Sequence, residues 1–338
     1  MNTIEQFNLN RRQFAGLGLG SIAALGLAAC GGGQGSSAAT TAAATTAAAT
    51  SEPVKLEDEQ EAPEVDAKQF DAIVATVTPA DAATIEASAW AKAIKDAGKL
   101  RVGGVKTSTF FSLLNEEDGR ERGFDAGLFQ MLTRYILGDE TKYELTQVTS
   151  DTRESVLTNG QVDCVFATYS ILPERQKLID FAGPYYTSQQ SILVKKDNDS
   201  IKSVADLADK NVAVQSGSSG PSIMEEEQPK AKLQEFSTDE EARSALEQGR
   251  VDAYVIDNAM QMGAVARNPS KYKIVGEPFG PTDPYGIGLP KGAEGAVDFV
   301  NAFLKKLEDE GAWESLWHVC IGARTNQEKA PQPPAIGA

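Results

Sequence analysis

Between residues 100 and 317 short apolar runs alternate with stretches whose apolar residues recur at helical spacing, and that alternation leaves few folds open. Residues 100–105 follow Gly98 and are apolar enough for a buried strand. Over 123–137, Phe124, Leu128, Met131, Leu132, Tyr135 and Ile136 fall on one helical face, and Gly138 stands where such a helix stops. Residues 143–148 alternate as a strand, 152–157 read as a helix closed by Asn159-Gly160, and 162–167 are strand-like again. After Gly183-Pro184 the pattern restarts at 191–195, with helices expected at 204–208, 223–227, 239–248 and 260–267 and strands at 212–215, 233–236 and 253–256. A strand near 285–289, a helix over 296–310 and an aromatic turn from Trp313 to Trp317 complete it. Strands separated by helices of this length indicate α/β units with largely parallel sheets. Two such runs, joined by extended segments near 186–195 and 272–288, predict two α/β lobes. In sheets of this kind ligands bind beyond the carboxyl ends of the strands.

The first third of the chain is built on other principles. Arg11-Arg12 precede an apolar run of Ala, Gly and Leu over 15–29, and Cys30 leads into Gly31-Gly32-Gly33. A basic edge followed by about fifteen apolar residues reads as a secretion signal, too short and glycine-rich for a membrane span. The paired arginines look like a twin-arginine signal, and Leu27-Ala28-Ala29-Cys30 resembles the bacterial lipobox, which implies cleavage before Cys30 and acylation of its sulfur. Residues 36–51 are almost all Ala, Thr and Ser and bury too little apolar surface to fold. From Glu52 to Asp66 seven acidic residues face the single Lys55, and like charges extend a linker. Residues 1–29 are therefore expected to be a signal peptide, 30–85 a lipid-anchored flexible linker, and 328–338 a flexible tail.

The whole chain carries 32 Lys and Arg against 48 Asp and Glu, a net charge of −16, and loss of Glu5, Arg11 and Arg12 with the signal would make it −17. Such acidity excludes a nucleic-acid binder, because phosphate contacts need clustered Lys and Arg. With Cys30 assigned to the anchor, Cys164 and Cys320 remain. In an oxidising compartment they permit a disulfide, and a buried free thiol at Cys164 is the alternative.

Several fragments, in order, carry a resemblance. Gly123-Phe124-Asp125 opens the first long helix, and Asn159-Gly160-Gln161-Val162-Asp163 enters a strand. Ala167-Thr168-Tyr169-Ser170-Ile171-Leu172-Pro173-Glu174-Arg175 is followed by Ile179-Asp180-Phe181 and Pro184-Tyr185-Tyr186. Later come Val212-Ala213-Val214-Gln215-Ser216-Gly217-Ser218 and Gly249-Arg250-Val251-Asp252-Ala253. Together, over about 100–316, they resemble the family 3 extracellular solute-binding proteins, the amino-acid receptors of ABC importers. One departure is Gly127, where the family usually has an acidic residue. The resemblance implies a two-lobed periplasmic-binding-protein fold of type II, two mostly parallel sheets joined by two hinge strands, closing on a free amino acid, with the first lobe built from both ends of the chain, 86–190 with 276–327, and the second from 191–275. It also implies an ABC permease as partner, membrane attachment through the lipid anchor at the outer face of the cytoplasmic membrane, a monomer, and no cofactor or metal.

A zwitterion entering a water-excluded cleft needs a cation and N–H donors for its carboxylate, and an anion and carbonyls for its ammonium. Arg175 matches the family's carboxylate-binding arginine, with a planar fork that grips both oxygens. Thr168, Tyr169 and Ser170 lie on the same motif, and Thr168 and Ser170 match positions that supply carbonyl and hydroxyl contacts. Gln215, Ser216, Ser218 and Ser219 form a loop that opens a helix with Pro221 in its first turn, which favours an anion; a loop that merely caps its helix is the plainer alternative. Asp257 matches the ammonium-binding acid, although an Asp there also suits a helix cap. Lys106, Thr107 and Phe110 match the loop over the ligand side chain, where Phe110 or Phe111 would pack on the ligand's methylenes or else be core, and Tyr285 is a weaker candidate. Lys106 paired with a side-chain carboxylate would favour glutamate, then aspartate or glutamine; Lys106 in solvent is the alternative.

An enzyme is disfavoured because His318 is the only histidine and lies far in sequence from every candidate loop. A Ser-His-Asp or Cys-His site would have to use it, and a zinc site with several histidines is impossible. Carboxylate chemistry, as in dehydratases on the same fold, and a receptor that presents its ligand to a signalling partner remain as alternatives.

Overall fold

The computed structural model describes residues 61–337. The expected signal peptide, the lipobox with Cys30 and the linker up to residue 60 lie outside the described residues. No helix among the described residues is long and apolar enough to cross a membrane.

Eleven strands are described: β1 Leu100–Gly104, β2 Thr107–Ser108, β3 Ser112–Leu114, β4 Glu121–Arg122, β5 Tyr143–Gln147, β6 Cys164–Ser170, β7 Asp180–Lys195, β8 Asn211–Gln215, β9 Lys232–Phe236, β10 Ala253–Asp257 and β11 Tyr272–Leu289. Eight of them form one hydrogen-bonded sheet in the order β5-β1-β6-β11-β7-β10-β8-β9. The outer pairs β1/β5, β1/β6, β8/β9 and β8/β10 are parallel, as the alternation predicts. The central pairs β6/β11, β7/β11 and β7/β10 are antiparallel.

The two expected sheets are continuous because β7 and β11 run through both lobes. At one end Ala182 and Thr187 pair with Ile287 and Pro284; at the other Ile192 and Lys195 pair with Val275 and Tyr272. Between them the register slips from Val275 to Phe279 and again to Asp283. That irregular stretch is the hinge. On the first-lobe side β5, β1 and β6 lie beside the ends of β7 and β11; on the other, β10, β8 and β9 follow the far end of β7. The small sheet β2-β3-β4 was not signalled by the sequence, and its strands are only two or three residues long.

Apolar packing follows the lobes. Behind the first sheet the helices Phe124–Leu137, Ala296–Asp309 and Ala312–Trp317 share one core. Its centre is aromatic: Phe111 meets Tyr186 edge-on at 5.3 Å, Phe124 meets Trp313 at 5.4 Å, and Tyr186 stacks on Tyr285 at 5.7 Å. Trp313 Nε1 donates to Tyr185 O at 3.0 Å, tying the C-terminal helix to β7. Phe111 and Tyr285 are thus core, and the His318 ring meets that of Trp317 edge-on at 5.3 Å. Two smaller apolar clusters cover the faces of the second-lobe sheet.

Two expectations are corrected, and the choice left open at the cysteines falls on the free thiols. Part of the segment assigned to a linker is folded: the helices Ala67–Ala75 and Ala82–Glu86 are capped by Asp66 and Asp81, whose carboxylates accept from Lys68 N and Gln69 N, and from Thr84 N. The acidic run that argued for an extended chain ends in one of these caps, Asp66, and Phe70, Val74 and Ile85 bury against the first-lobe core. The tail is not free either, since Ala330 is buried and Gly337 N donates to Gly183 O at 2.8 Å. Cys164 and Cys320 are unbonded, each buried in the first-lobe core, where burial pushes both thiols well above their ordinary range.

The Gly127 departure has a packing cause. A Cβ at Gly127 would stand 2.4 Å from Leu316 Cδ1, so the C-terminal helix fills the space an acidic side chain would need.

Candidate ligand-binding site

The carboxyl ends of the parallel strands converge on one cavity of about 80 Å³. From the first lobe it is lined by Thr107, Ser108 and Thr109 after β1, by residues 147–150 and Arg153 after β5, and by Ala167, Thr168 and Ser170 of β6. From the second lobe come Gln215 and Ser218 after β8, Thr238, Asp239, Glu240 and Arg243 after β9, and Ile256, Asp257 and Met260 at the end of β10.

Of the residues expected in the site, Thr107, Thr168, Ser170, Gln215, Ser218 and Asp257 line this cavity. Lys106 does not: its Nζ lies 3.7 Å from Glu121 Oε1, a carboxylate that also accepts from Tyr143 OH. Phe110 is core, covered by the Arg324 guanidinium 4.9 Å from its ring. Tyr169 is buried beneath two guanidiniums, Arg153 at 4.2 Å and Arg175 at 5.2 Å from its ring centre. Ser216 donates to Asp151, and Ser219 to Asp283, so both turn away from the cavity wall.

Arg175 is buried between the lobes, and each of its three nitrogens has a partner. Nη1 donates to Ser170 O and Nη2 to Gly217 O, each at 2.8 Å, and Nε faces Glu154 at 3.4 Å. Gly217 can meet both arginines because it has φ +68 and no side chain; a Cβ there would lie 2.4 Å from Asp151 Oδ1.

Arg153, which the sequence reading missed, opens the helix Arg153–Thr158 and lines the cavity. Nη1 donates to Ala167 O at 3.0 Å and Nη2 to Gly217 O at 3.4 Å, while the buried Nε has no partner. No carboxylate among the described residues lies within 4.0 Å of it. Burial, and then the neighbouring Arg175, lower its pKa to about 10. Of the two adjacent guanidiniums, only Arg175 has a carboxylate partner, Glu154. The surplus positive charge faces the cavity.

Asp257 is its counterpart. It precedes the helix Asn258–Arg267 but makes no capping bond; its Oδ1 instead accepts from Gln190 Nε2 at 2.6 Å. No cation among the described residues comes within 4.0 Å of it. Burial, and then the nearby Asp283, push its carboxyl well above the ordinary 3.8. Charged groups further round the wall are already paired, Arg243 with Asp239 at 2.7 Å and with Glu240 at 3.7 Å.

Thr168 is held in a left-handed conformation, φ +42, at the end of β6. Its N–H donates to Asp125 Oδ2 at 2.9 Å, and Tyr185 OH donates to Asp125 Oδ1 at 2.7 Å. Burial pushes this carboxyl up to about 7. The Asp of the Gly123-Phe124-Asp125 motif therefore acts from within the core, fixing the strained turn that presents Thr168.

Residues 100–318 match the family model of bacterial extracellular solute-binding proteins, family 3. The ABC transporter glutamine-binding protein GlnH of Bacillus subtilis (strain 168) is 40% identical over 228 residues, covering 67% of this chain and 82% of that protein. The glutamate-binding protein GluB of Corynebacterium efficiens is 32% identical over 211 residues, covering 60% and 71%. Among solved structures, an ancestral arginine-binding protein bound to glutamine superposes with a TM-score of 0.60 at 36% identity, covering 67% of this chain and 98% of that one.

Proposed function

The chain belongs to the bacterial extracellular solute-binding proteins, family 3, and we propose that it is the receptor of an ABC importer for a polar amino acid, glutamine first and glutamate second. The observation that carries this reading is the pair Arg153 and Asp257, two buried, oppositely charged groups without ionic partners on facing lobes of one cavity. They answer the carboxylate and the ammonium of a free amino acid, whose desolvation neither could otherwise offset. Arg175 supports the same acid group by holding Gly217 and Ser170 in place behind Arg153.

The other charged side chains that line the cavity, Arg243, Asp239 and Glu240, are paired with one another. A side chain without charge therefore meets no uncompensated group, whereas the glutamate preference expected from Lys106 loses its basis, because Lys106 faces Glu121 instead. This ordering agrees with relatives named for glutamine at 40% identity and for glutamate at 32%. Hinge closure about the irregular stretch of β7 and β11 would enclose the ligand, with a binding free energy on the order of 8 kcal/mol at a micromolar dissociation constant.

The lipobox supports anchoring of the secreted chain by acylated Cys30 at the outer face of the cytoplasmic membrane. Replacing Cys30 by Ala should release the protein from the membrane fraction; retention there would remove the anchor. For the ligand, a thermal-shift screen of the twenty amino acids followed by calorimetry is decisive, because a ligand bound only by the folded form must raise its stability. Glutamine should give the largest shift. No shift with any amino acid would defeat the reading.

A further inference from the structure

Asp283 lies on β11 opposite Ser188 of β7, inside the irregular stretch that separates the lobes, and is 3% exposed. Its Oδ2 accepts two hydrogen bonds: from Ser170 Oγ at 3.0 Å, at the end of first-lobe strand β6, and from Ser219 Oγ at 2.7 Å, before the second-lobe helix Gly220–Glu227. Its Oδ1 is buried with no partner, and no cation among the described residues lies within 4.0 Å. The network continues from the second hinge strand. Gln190 Nε2 donates to Ser219 Oγ at 3.3 Å and to Asp257 Oδ1 at 2.6 Å. A single carboxylate oxygen is thus shared by hydroxyls of both lobes, and two hydrogen bonds further on stands the acid proposed for the ligand ammonium.

We propose that Asp283 is the latch of lobe closure and a positioning residue that couples closure to the charge of Asp257. Separating the lobes takes at least one serine away from Oδ2, and a buried carboxylate stripped of donors is expensive to leave so. Closure and satisfaction of Asp283 are therefore one event. The same acid also places a second carboxylate beside Asp257, so Asp257 is costly to ionise until an ammonium arrives. The groups facing Asp257 are Asp283 and Tyr285 from β11, Arg153 from the helix Arg153–Thr158, and Tyr254 on its own strand.

This coupling rests on the amino-acid-receptor reading, whereas the latch is measurable without any ligand. Two variants separate the roles. Asp283→Ala removes the shared acceptor; Asp283→Asn keeps an acceptor oxygen and removes the charge. Small-angle X-ray scattering of the ligand-free protein should give a larger radius of gyration for Asp283→Ala than for wild type, with Asp283→Asn close to wild type. Calorimetry with L-glutamine should show Asp283→Ala binding about tenfold or more weakly. Asp283→Asn should flatten the rise of affinity with pH, because Asp257 then ionises at lower pH. If Asp283→Ala does not fold, the double variant Ser170→Ala/Ser219→Ala removes both donors and must reproduce the expansion. An unchanged radius of gyration in the Ala or double-Ala variant overturns the latch. A wild-type pH profile in Asp283→Asn overturns the coupling. Failure of wild type to bind any amino acid overturns the receptor reading and, with it, the coupling, while the scattering result still decides the latch.

Discussion

Arg153 and Asp257 face one cavity from opposite lobes, and among the described residues neither has an opposite charge within 4.0 Å. Removing either should leave one end of the ligand unpaired. Asp257→Asn and Arg153→Ala are each expected to weaken L-glutamine binding by roughly 2–5 kcal/mol, read by calorimetry. Arg153→Lys should not restore it, since an ammonium cannot donate to Ala167 O, Gly217 O and a carboxylate in the same plane. Near-wild-type affinity in Arg153→Ala would remove it from the site.

Arg175→Ala is expected to weaken binding as well, through loss of the bonds to Gly217 O and Ser170 O. Both arginines act on the same acid group, so their losses should not add. A double-mutant cycle giving strict additivity would show independent roles.

Lys106→Gln should change the affinities for glutamine and glutamate equally, and by no more than about twofold, because Lys106 forms a half-exposed pair with Glu121. A selective loss of glutamate would return Lys106 to the cavity.

The pH dependence has a definite sign. The folded-state pKa values of Asp125 and Asp257 lie above the ordinary 3.8, at about 7 for Asp125. Each contributes stability that is fully present below the unfolded value and is lost as pH rises through the folded one. The ligand-free Tm should therefore fall between about pH 5 and 8. Ligand affinity should rise over the same interval, since the ammonium favours ionised Asp257. In Asp257→Asn part of the fall in Tm should vanish, raising Tm near pH 8 on the order of 3 °C while binding is lost. A Tm that climbs with pH in wild type would contradict this assignment.

Gly127→Asp, which restores the family's usual acidic residue, should destabilise by about 1–3 kcal/mol, because Leu316 occupies the space. Leu316→Ala should recover part of that loss in the double variant. Chemical denaturation of the four proteins checks both.

The strands β1, β5, β6, β8, β9 and β10, and the helix Phe124–Leu137 that stops at Gly138, were legible because each has a strong local period and a clear stop signal. The long strands β7 and β11 were legible only in part. Their apolar pattern breaks at 187–190 and 276–283, where the chain passes between lobes and faces polar partners such as Asp283 and Ser219. Residues 67–86 misled because charge composition is read over a window, whereas Asp66 and Asp81 act singly as caps. Asp257 and Thr168 stood out through the family motif. Arg153 had no motif, yet it follows β5 directly, and the rule that ligands bind beyond the carboxyl ends of strands applied to it as much as to Lys106. What no sequence rule supplies is direction: Lys106 turns to Glu121, Ser219 to Asp283, and Arg175 spends its donors on backbone carbonyls.

The place of β11 in the sheet has a consequence for the order of assembly. The second lobe's strands β8, β9 and β10 and its end of β7 are contiguous in the chain and need nothing that follows Asp257 to begin pairing. The other lobe waits. Its strand β6 gains its second neighbour only when residues 285–288 arrive, more than a hundred positions downstream, and its aromatic core closes only with Trp313. Contacts so distant in sequence require loop-closure entropy before they return stability, so the contiguous second lobe is expected to nucleate before the first.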